Sequence, residues 1–184
     1  MSFEAITCKT DKGSYTCEMI RRLTKNESGS LSDGVEVIPI VYYPKSNKPN
    51  CLLIIQQFRV PINAKVWQFP TGIIDPGETP DVSAIRELKE ETGFIAEKVL
   101  HVNKRIASCP DIADTYVQSV TVLINGDDEI NQNPIQDLGP SEDITPVLVP
   151  LNELEKFIME KVNKGESVFD NLFCLSQSVF LLDY

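Results

Sequence analysis

The sequence contains no apolar run approaching the roughly 20 residues needed to cross a bilayer, and a membrane is therefore not an expected partner. Its first residues, MSFEAITCKTDKG, lack both the apolar centre of a signal peptide and the Arg-rich character of a transit peptide, which predicts a cytoplasmic location, with the nucleus as the alternative. The five cysteines (Cys8, Cys17, Cys51, Cys109, Cys174) are odd in number, scattered and without metal-ligand spacing, and read as reduced intracellular thiols. Basic residues are scarce: 17 Lys and Arg stand against 27 Asp and Glu, a formal charge of −10. Non-specific nucleic-acid binding rests on neutralising phosphates with Lys and Arg, so this balance argues against such a partner. An acidic protein that handles an anionic substrate instead needs divalent cations to bridge the two. No internal repeat or low-complexity tract is visible.

What remains is one domain's worth of chain, 184 residues with 42% hydrophobic and 24% charged positions. Glu4–Cys8 and Ser14–Ile20 read as two short strands joined at Asp11-Lys12-Gly13. Residues 1–30 are too few to bury a core and form an N-terminal β appendage; residues 31–184 make the main domain, with the polar stretch Lys25–Asp33 at the boundary. Strands are expected at Gly34–Tyr43, Cys51–Phe58, Val66–Phe69, Val99–Ala107, Tyr116–Ile124 and Pro146–Val149. Helices are expected at Leu151–Lys164 and Val168–Leu182. Between them Asn125–Ser141 is a polar loop of unusual length, and such loops are commonly functional or mobile.

The most informative stretch is Gly72–Phe94, GIIDPGETPDVSAIRELKEETGF. Thr79 is a natural N-cap, Pro80 suits the first helical position, Asp81 complements the helix dipole and Gly93 is the natural stop. Glu87, Glu90 and Glu91 are spaced i, i+3, i+4, which gathers three carboxylates on one face. Val82, Ile85 and Leu88 are expected to pack inward on the opposite face. The bland reading is a solvated acidic face; the other is a set of hard oxygen ligands for cations.

Gly72, five residues, Glu78, seven residues, then Arg86-Glu87-Leu88-Lys89-Glu90-Glu91-Thr92-Gly93-Phe94 resembles the full Nudix box, Gx5Ex7REUxEExGU, with every fixed position filled. The resemblance implies an α/β fold, an α/β/α sandwich around a mixed sheet, and a hydrolase of nucleoside diphosphate derivatives. It makes Glu87, Glu90 and Glu91, with the carbonyl of Thr71, the ligands for Mg²⁺ (or Mn²⁺). Cleaving a diphosphate needs such cations, because its own charge repels nucleophiles. It also implies that Arg86 pairs with Glu78 to hold the Gly72–Gly77 loop against the helix, with Gly72, Gly77 and Gly93 in structural roles.

DGVEVIPI, QQFRVP and FPTGIIDPGETP resemble segments of the subfamily that hydrolyses ADP-ribose and related ADP-sugars to AMP and a sugar phosphate. By that resemblance Arg59 and Arg22 contact the substrate, Pro110 marks the ADP-ribose enzymes, and a homodimer brings the N-terminal strands to the partner's site. Cys17 and Glu18 fall where relatives have an aromatic residue and a Glu at the adenine; a thiol cannot stack, and Tyr15 or Phe3 are the nearest substitutes. Glu142 matches a loop carboxylate acting as general base, with Asp143 the alternative. His101, the single histidine, is not required by this chemistry, and Trp67 is read as core. Rival readings are a Nudix hydrolase of dinucleoside polyphosphates or NADH, and a non-catalytic module that binds ADP-ribose; the intact carboxylate set speaks against the second.

Overall fold

The computed structural model describes residues 2–21 and 32–181, with side chains described through Ser178. The N-terminal strands β1 (Ser2–Thr10) and β2 (Gly13–Arg21) form an antiparallel hairpin that is a two-stranded sheet of its own. It meets the main body at its end: Ile20 N–H donates to the Ile112 carbonyl at 2.7 Å, and Arg21 lies 3.3 Å from the Asp114 carboxylate. Most of β2 is exposed, as are Phe3 and Tyr15.

The main body is a nine-stranded mixed sheet among the described residues. In chain order its strands are β3 (Gly34–Tyr42), β4 (Cys51–Arg59), β5 (Ala64–Gln68), β6 (Thr71–Ile73), β7 (Lys98–Val102), β8 (Ile106–Ser108), β9 (Thr115–Asn125), β10 (Ile144–Pro150) and β11 (Ser167–Val168). The helices are α1 (Pro80–Thr92), the single turn α2 (Glu129–Gln132), α3 (Leu154–Asn163) and α4 (Asp170–Leu181). The sheet runs β11-β5-β4-β3-β9-β7, with β10 paired to β4, β6 to β3 and β8 to β9. The pairs β3–β9 and β11–β5 are parallel and the others antiparallel.

Side-chain alternation along the central strands builds two cores. Val35, Val37 and Val41 of β3 and Leu53 of β4 face α1, where Ala84 and Leu88 pack with Val120, Val122 and Ile124 of β9. Leu52 and Ile54 point the other way, onto Leu154 and Ile158 of α3 and Leu172 of α4. The result is helix, sheet, helix. Truncating one of these fully buried leucines, such as Leu88, would cost about 2–5 kcal/mol.

Three expectations need correction. Val82 and Ile85 do not pack inward: they are 49% and 41% exposed, and the buried face of α1 is Ser83, Ala84, Leu88, Glu91 and Thr92. The sheet lies under the carboxylate side of the helix, so Glu91 goes in with Leu88. The strand expected over Val99–Ala107 is broken into β7 and β8. The register against β9 shifts between Val99 and His101, and beyond Asn103, whose N–H still donates to the Ser119 carbonyl, Lys104-Arg105 leaves the ladder. The last helix begins only at Asp170, because Ser167–Val168 is drawn into the sheet beside Val66–Trp67.

The long segment after β9 is laced to the end of α1. Asn131 donates to the Ile95 and Asn125 carbonyls and accepts from Ile95 N–H. Asp137 N–H and the Gln136 amide donate to the carbonyls of Glu90 and Glu91, two of the acceptors a helix C-terminus leaves open. Gly93 has φ 75°, and a Cβ there would lie 2.4 Å from Ile135 N. Only glycine allows both the left-handed stop and this close approach.

Candidate active site

Arg86 organises one end of the site. Its Nε and Nη2 donate to the two oxygens of Glu78 at 3.0 and 2.8 Å, and Nη2 also reaches the Ile73 carbonyl at 3.0 Å. The third nitrogen, Nη1, donates to Glu87 at 2.8 Å and to Glu90 at 3.2 Å. Arg86 therefore ties the loop before the helix to the helix and also spans two of the box carboxylates. The guanidinium, helped by the Ser83 hydroxyl, pulls the Glu78 carboxyl down to about 2.

Gly72 serves by what it lacks. A Cβ built there would lie 1.7 Å from Glu87 Cδ, inside the carboxylate itself. The Glu87 side chain thus rests on the backbone of β6, where any side chain would expel it. Glu91 is only 4% exposed, and one oxygen accepts Thr71 N–H at 3.0 Å. Burial, with repulsion from Glu87 and Glu142, pushes its carboxyl up to about 8 against the opposing effects of Thr71 N–H and Arg59. Burial likewise raises Glu87, opposed by Arg86. Glu90 is more open, with 40% of its side chain exposed.

Arg59 ends β4. Its Nε donates to Gln68 Oε1 at 2.9 Å, and Gln68 in turn donates to Gln57 and toward the Thr71 hydroxyl. Burial lowers the Arg59 pKa, and Glu91 opposes that. Buried Gln68, which orients the guanidinium, was not singled out in the sequence; its place in a strand between Trp67 and Phe69 was the available signal.

Glu142 is exposed and folds over its own turn: Gly139 N–H donates to its carboxylate at 2.7 Å, and Glu142 N–H returns to the Gly139 carbonyl. Its charge reaches Glu87 and Glu91. Asp143 is turned elsewhere, with both oxygens 3.0 Å from Lys65 Nζ.

Two cavities open beside this constellation. A volume of about 400 Å³ is bounded by Arg59, Thr71 and Gly72 together with Asp33, Glu36 and Ser108, with Glu36 opposite Thr71 in the β3–β6 pair. A second, about 770 Å³, lies under Cys109-Pro110-Asp111 and against α4. The two share Glu36, Ser108, Val117, Phe169 and Asn171 and adjoin one another there. Pro110 accordingly lies at the larger cavity. Cys17 and Glu18 sit on the projecting hairpin and line neither cavity of their own chain, and Arg22 is outside the described residues. His101 is exposed and bonded to Asn103; Trp67 is buried, edge-on to Phe157 at 5.2 Å, with Nε1 donating to Glu166.

Among the described residues no three His, Cys, Asp or Glu side chains converge as a closed ligand set. Arg86 Nη1 occupies the space between Glu87 and Glu90 instead. The donors nevertheless suit a hard cation, being carboxylate oxygens and backbone carbonyls rather than thiols or imidazoles. A carboxyl raised to about 8 is also one that a nearby cation would restore to its charged form. The residues fit a hard divalent cation.

The NUDIX domain model matches residues 35–170. The chain is 33% identical over 155 residues to the ADP-sugar pyrophosphatase of Mus musculus, covering 84% of this chain and 69% of that one. It is 36% identical over 139 residues to the ADP-ribose pyrophosphatase of Saccharomyces cerevisiae, covering 76% of this chain and 58% of that one. These relatives are thus longer than the part this chain matches. A solved structure described as an ADP compounds hydrolase superposes with a TM-score of 0.61 at 21% identity, over 85% of this chain and 74% of that chain, a likeness of fold. With a complete box on the central helix of an α/β/α sandwich and the domain model matching most of its length, this chain belongs to the Nudix family.

Proposed function

We propose that this protein hydrolyses the diphosphate linkage of ADP-ribose or a related ADP-sugar, giving AMP and a sugar 5-phosphate. The observation that carries the reading is the junction at Gly72, where the cavity with Arg59 at its wall touches the backbone on which the Glu87 carboxylate rests. The ADP-ribose and ADP-sugar activities named for two relatives support the choice of substrate.

Glu87, Glu90 and Glu91, with the Thr71 carbonyl, would hold Mg²⁺, or Mn²⁺ in its place. Bound there, the cation supplies neutralisation of diphosphate charge and acidification of water. Arg59, fixed by Gln68 through Nε and reaching the Thr71 hydroxyl at 3.5 Å through Nη2, binds a phosphate oxygen through its guanidinium and orients the linkage. Glu142 accepts the proton of the attacking water; the turn that carries it is short, and its bond to Gly139 N–H is replaceable by one to water. Asp143 is committed to Lys65 and is the weaker candidate. Pro110 shapes the lip over the second cavity. Cys17, Glu18 and Arg22 act, in this reading, in the partner's site of a homodimer formed through the hairpin. The protein works in the cytoplasm on a small nucleotide-sugar, without nucleic acid.

The test is a panel of nucleoside diphosphate derivatives incubated with Mg²⁺, the products resolved by chromatography. AMP and a sugar phosphate from ADP-ribose are expected. Turnover confined to dinucleoside polyphosphates or NADH would replace the substrate, and binding without turnover would make the protein a sensor.

A further inference from the structure

Glu36 stands at the join between the two cavities and has no part in the chemistry above. It is 7% exposed, on the face of β3 that looks toward α4 rather than α1. Its two oxygens accept hydrogen bonds from neutral groups, Asn171 Nδ2 and, at 3.4 Å, the Ser119 hydroxyl. Neither donor compensates a buried charge as a guanidinium would. A carboxylate has about four acceptor sites, and two are taken, so acceptor capacity is left where Glu36 borders both cavities.

The charge of the larger cavity is one-sided. Glu36, Asp111 and Asp170 line it, together with the hydroxyls of Ser108, Ser119 and Ser178, and among the described residues no Lys, Arg or His does. Among the described residues the basic residue lining the adjacent cavity is Arg59. A second phosphorylated group placed beyond the linkage would meet carboxylates without a counter-charge. A neutral group rich in hydroxyl donors would find acceptors.

We infer that Glu36, oriented by Asn171 and Ser119, is a specificity-determining residue that accepts hydrogen bonds from vicinal hydroxyls of the group on the far side of the diphosphate, and that the acidic cavity around it rejects anionic groups there. The inference rests on the hydrolase reading for the direction in which the substrate lies. It assigns the 770 Å³ cavity to an uncharged polyol of about the size of a pentose, and it disfavours dinucleoside polyphosphates, whose second half brings further phosphates.

The experiment separates the subsite from the activity by measuring binding without turnover. Calorimetry in EDTA compares three ligands: ADP-ribose, ADP joined to a hydroxyl-free cyclopentylmethyl group, and ADP-ribose bearing a phosphate on its far ribose. Wild type should bind ADP-ribose tightest. In Glu36→Gln, which keeps shape and one acceptor oxygen, the preference for ADP-ribose over the hydroxyl-free compound should shrink about 10–100-fold, as expected for losing charge-assisted hydrogen bonds. Its preference over the phosphorylated ligand should shrink as well. Asn171→Ala, which frees the carboxylate, should reduce the same ratios less, and melting curves establish that both variants are folded. An unchanged ratio in Glu36→Gln, or an equal weakening of all three ligands, overturns the assignment. So does a change in preference between ADP- and GDP-linked ribose, which would make the cavity a base site. Absence of hydrolysis of ADP-ribose with Mg²⁺ would instead refute the proposed activity while these binding ratios still decide the subsite.

Discussion

Replacing Glu91 by Gln should make the metal-free protein more stable and nearly inactive. A carboxyl moved from the ordinary 4.5 to about 8 keeps its proton in the folded chain where the unfolded chain has lost it. Stability therefore falls as pH rises from about 4.5 through 8, because the folded state binds more protons over that window. At about 1.36 kcal/mol per tenfold change in proton affinity, the ceiling is about 5 kcal/mol above pH 8. Relaxation and water entry around a buried ion reduce this to about 2–4 kcal/mol. Gln can still accept the Thr71 N–H bond, so the substitution removes the charge and little else. For a chain of this size each kcal/mol moves Tm by about 2–4 °C, and Glu91→Gln should melt about 5–15 °C above wild type at pH 8.5 in EDTA. The two curves should converge near pH 4.5. Millimolar Mg²⁺ should raise wild type more than the variant and narrow the gap, while turnover of the variant falls below about a tenth of wild type. Thermal melts across pH 4–9, with and without Mg²⁺, read all of this. A gap that does not vary with pH, or a variant less stable than wild type at pH 8.5, would refute the reasoning.

Glycine substitutions should separate close approach from conformational freedom. Gly72→Ala drives Cβ into the Glu87 carboxylate and should lower kcat by orders of magnitude; Gly77→Ala, at φ 89° with open space around it, should cost only about 1 kcal/mol in a denaturant melt and keep activity. Glu142→Gln should lower kcat about 100-fold with Tm nearly unchanged, as for a lost general base, whereas Asp143→Asn should leave kcat within severalfold; the reverse order in steady-state kinetics would move the role to Asp143. Glu78, depressed to about 2 by Arg86, contributes stability that is present above about 4.5 and is lost as pH falls toward 2. Melts of Glu78→Gln between pH 2 and 6 should therefore lie below wild type at pH 6 and meet it at the acid end.

The parts of this protein legible in its sequence are those where spacing along one element decides the outcome. Three glutamates at i, i+3 and i+4 share a face wherever the helix sits, and Gly93 stops that helix in the left-handed conformation it was expected to adopt. What was not legible depends on which neighbour lies over the element. The apolar residues Val82 and Ile85 pointed to the wrong buried face. Leu88 does go in as read, but with Ala84 rather than with Val82 and Ile85, and Glu91 is carried in beside them. A helix that places carboxylates at a cavity wall, as in the proposed reading, has to bury part of its acidic face, so hydrophobic periodicity misleads most there. Gly72 makes the same point from the opposite direction. In sequence it reads as a backbone position that a Cβ would obstruct, with nothing to say what it would strike; in the fold it sits in β6, paired with Val35, and Glu87 occupies the space of its missing side chain. Glu36 and Asn171 lie 135 positions apart, and no local pattern joins them. A single carboxylate inside GVEVIPIV, a strand otherwise fit to be buried on both faces, was nevertheless the available signal. Charge buried there has a cost in folding, and binding of a hydroxyl-bearing ligand is the process that this structure equips to offset it.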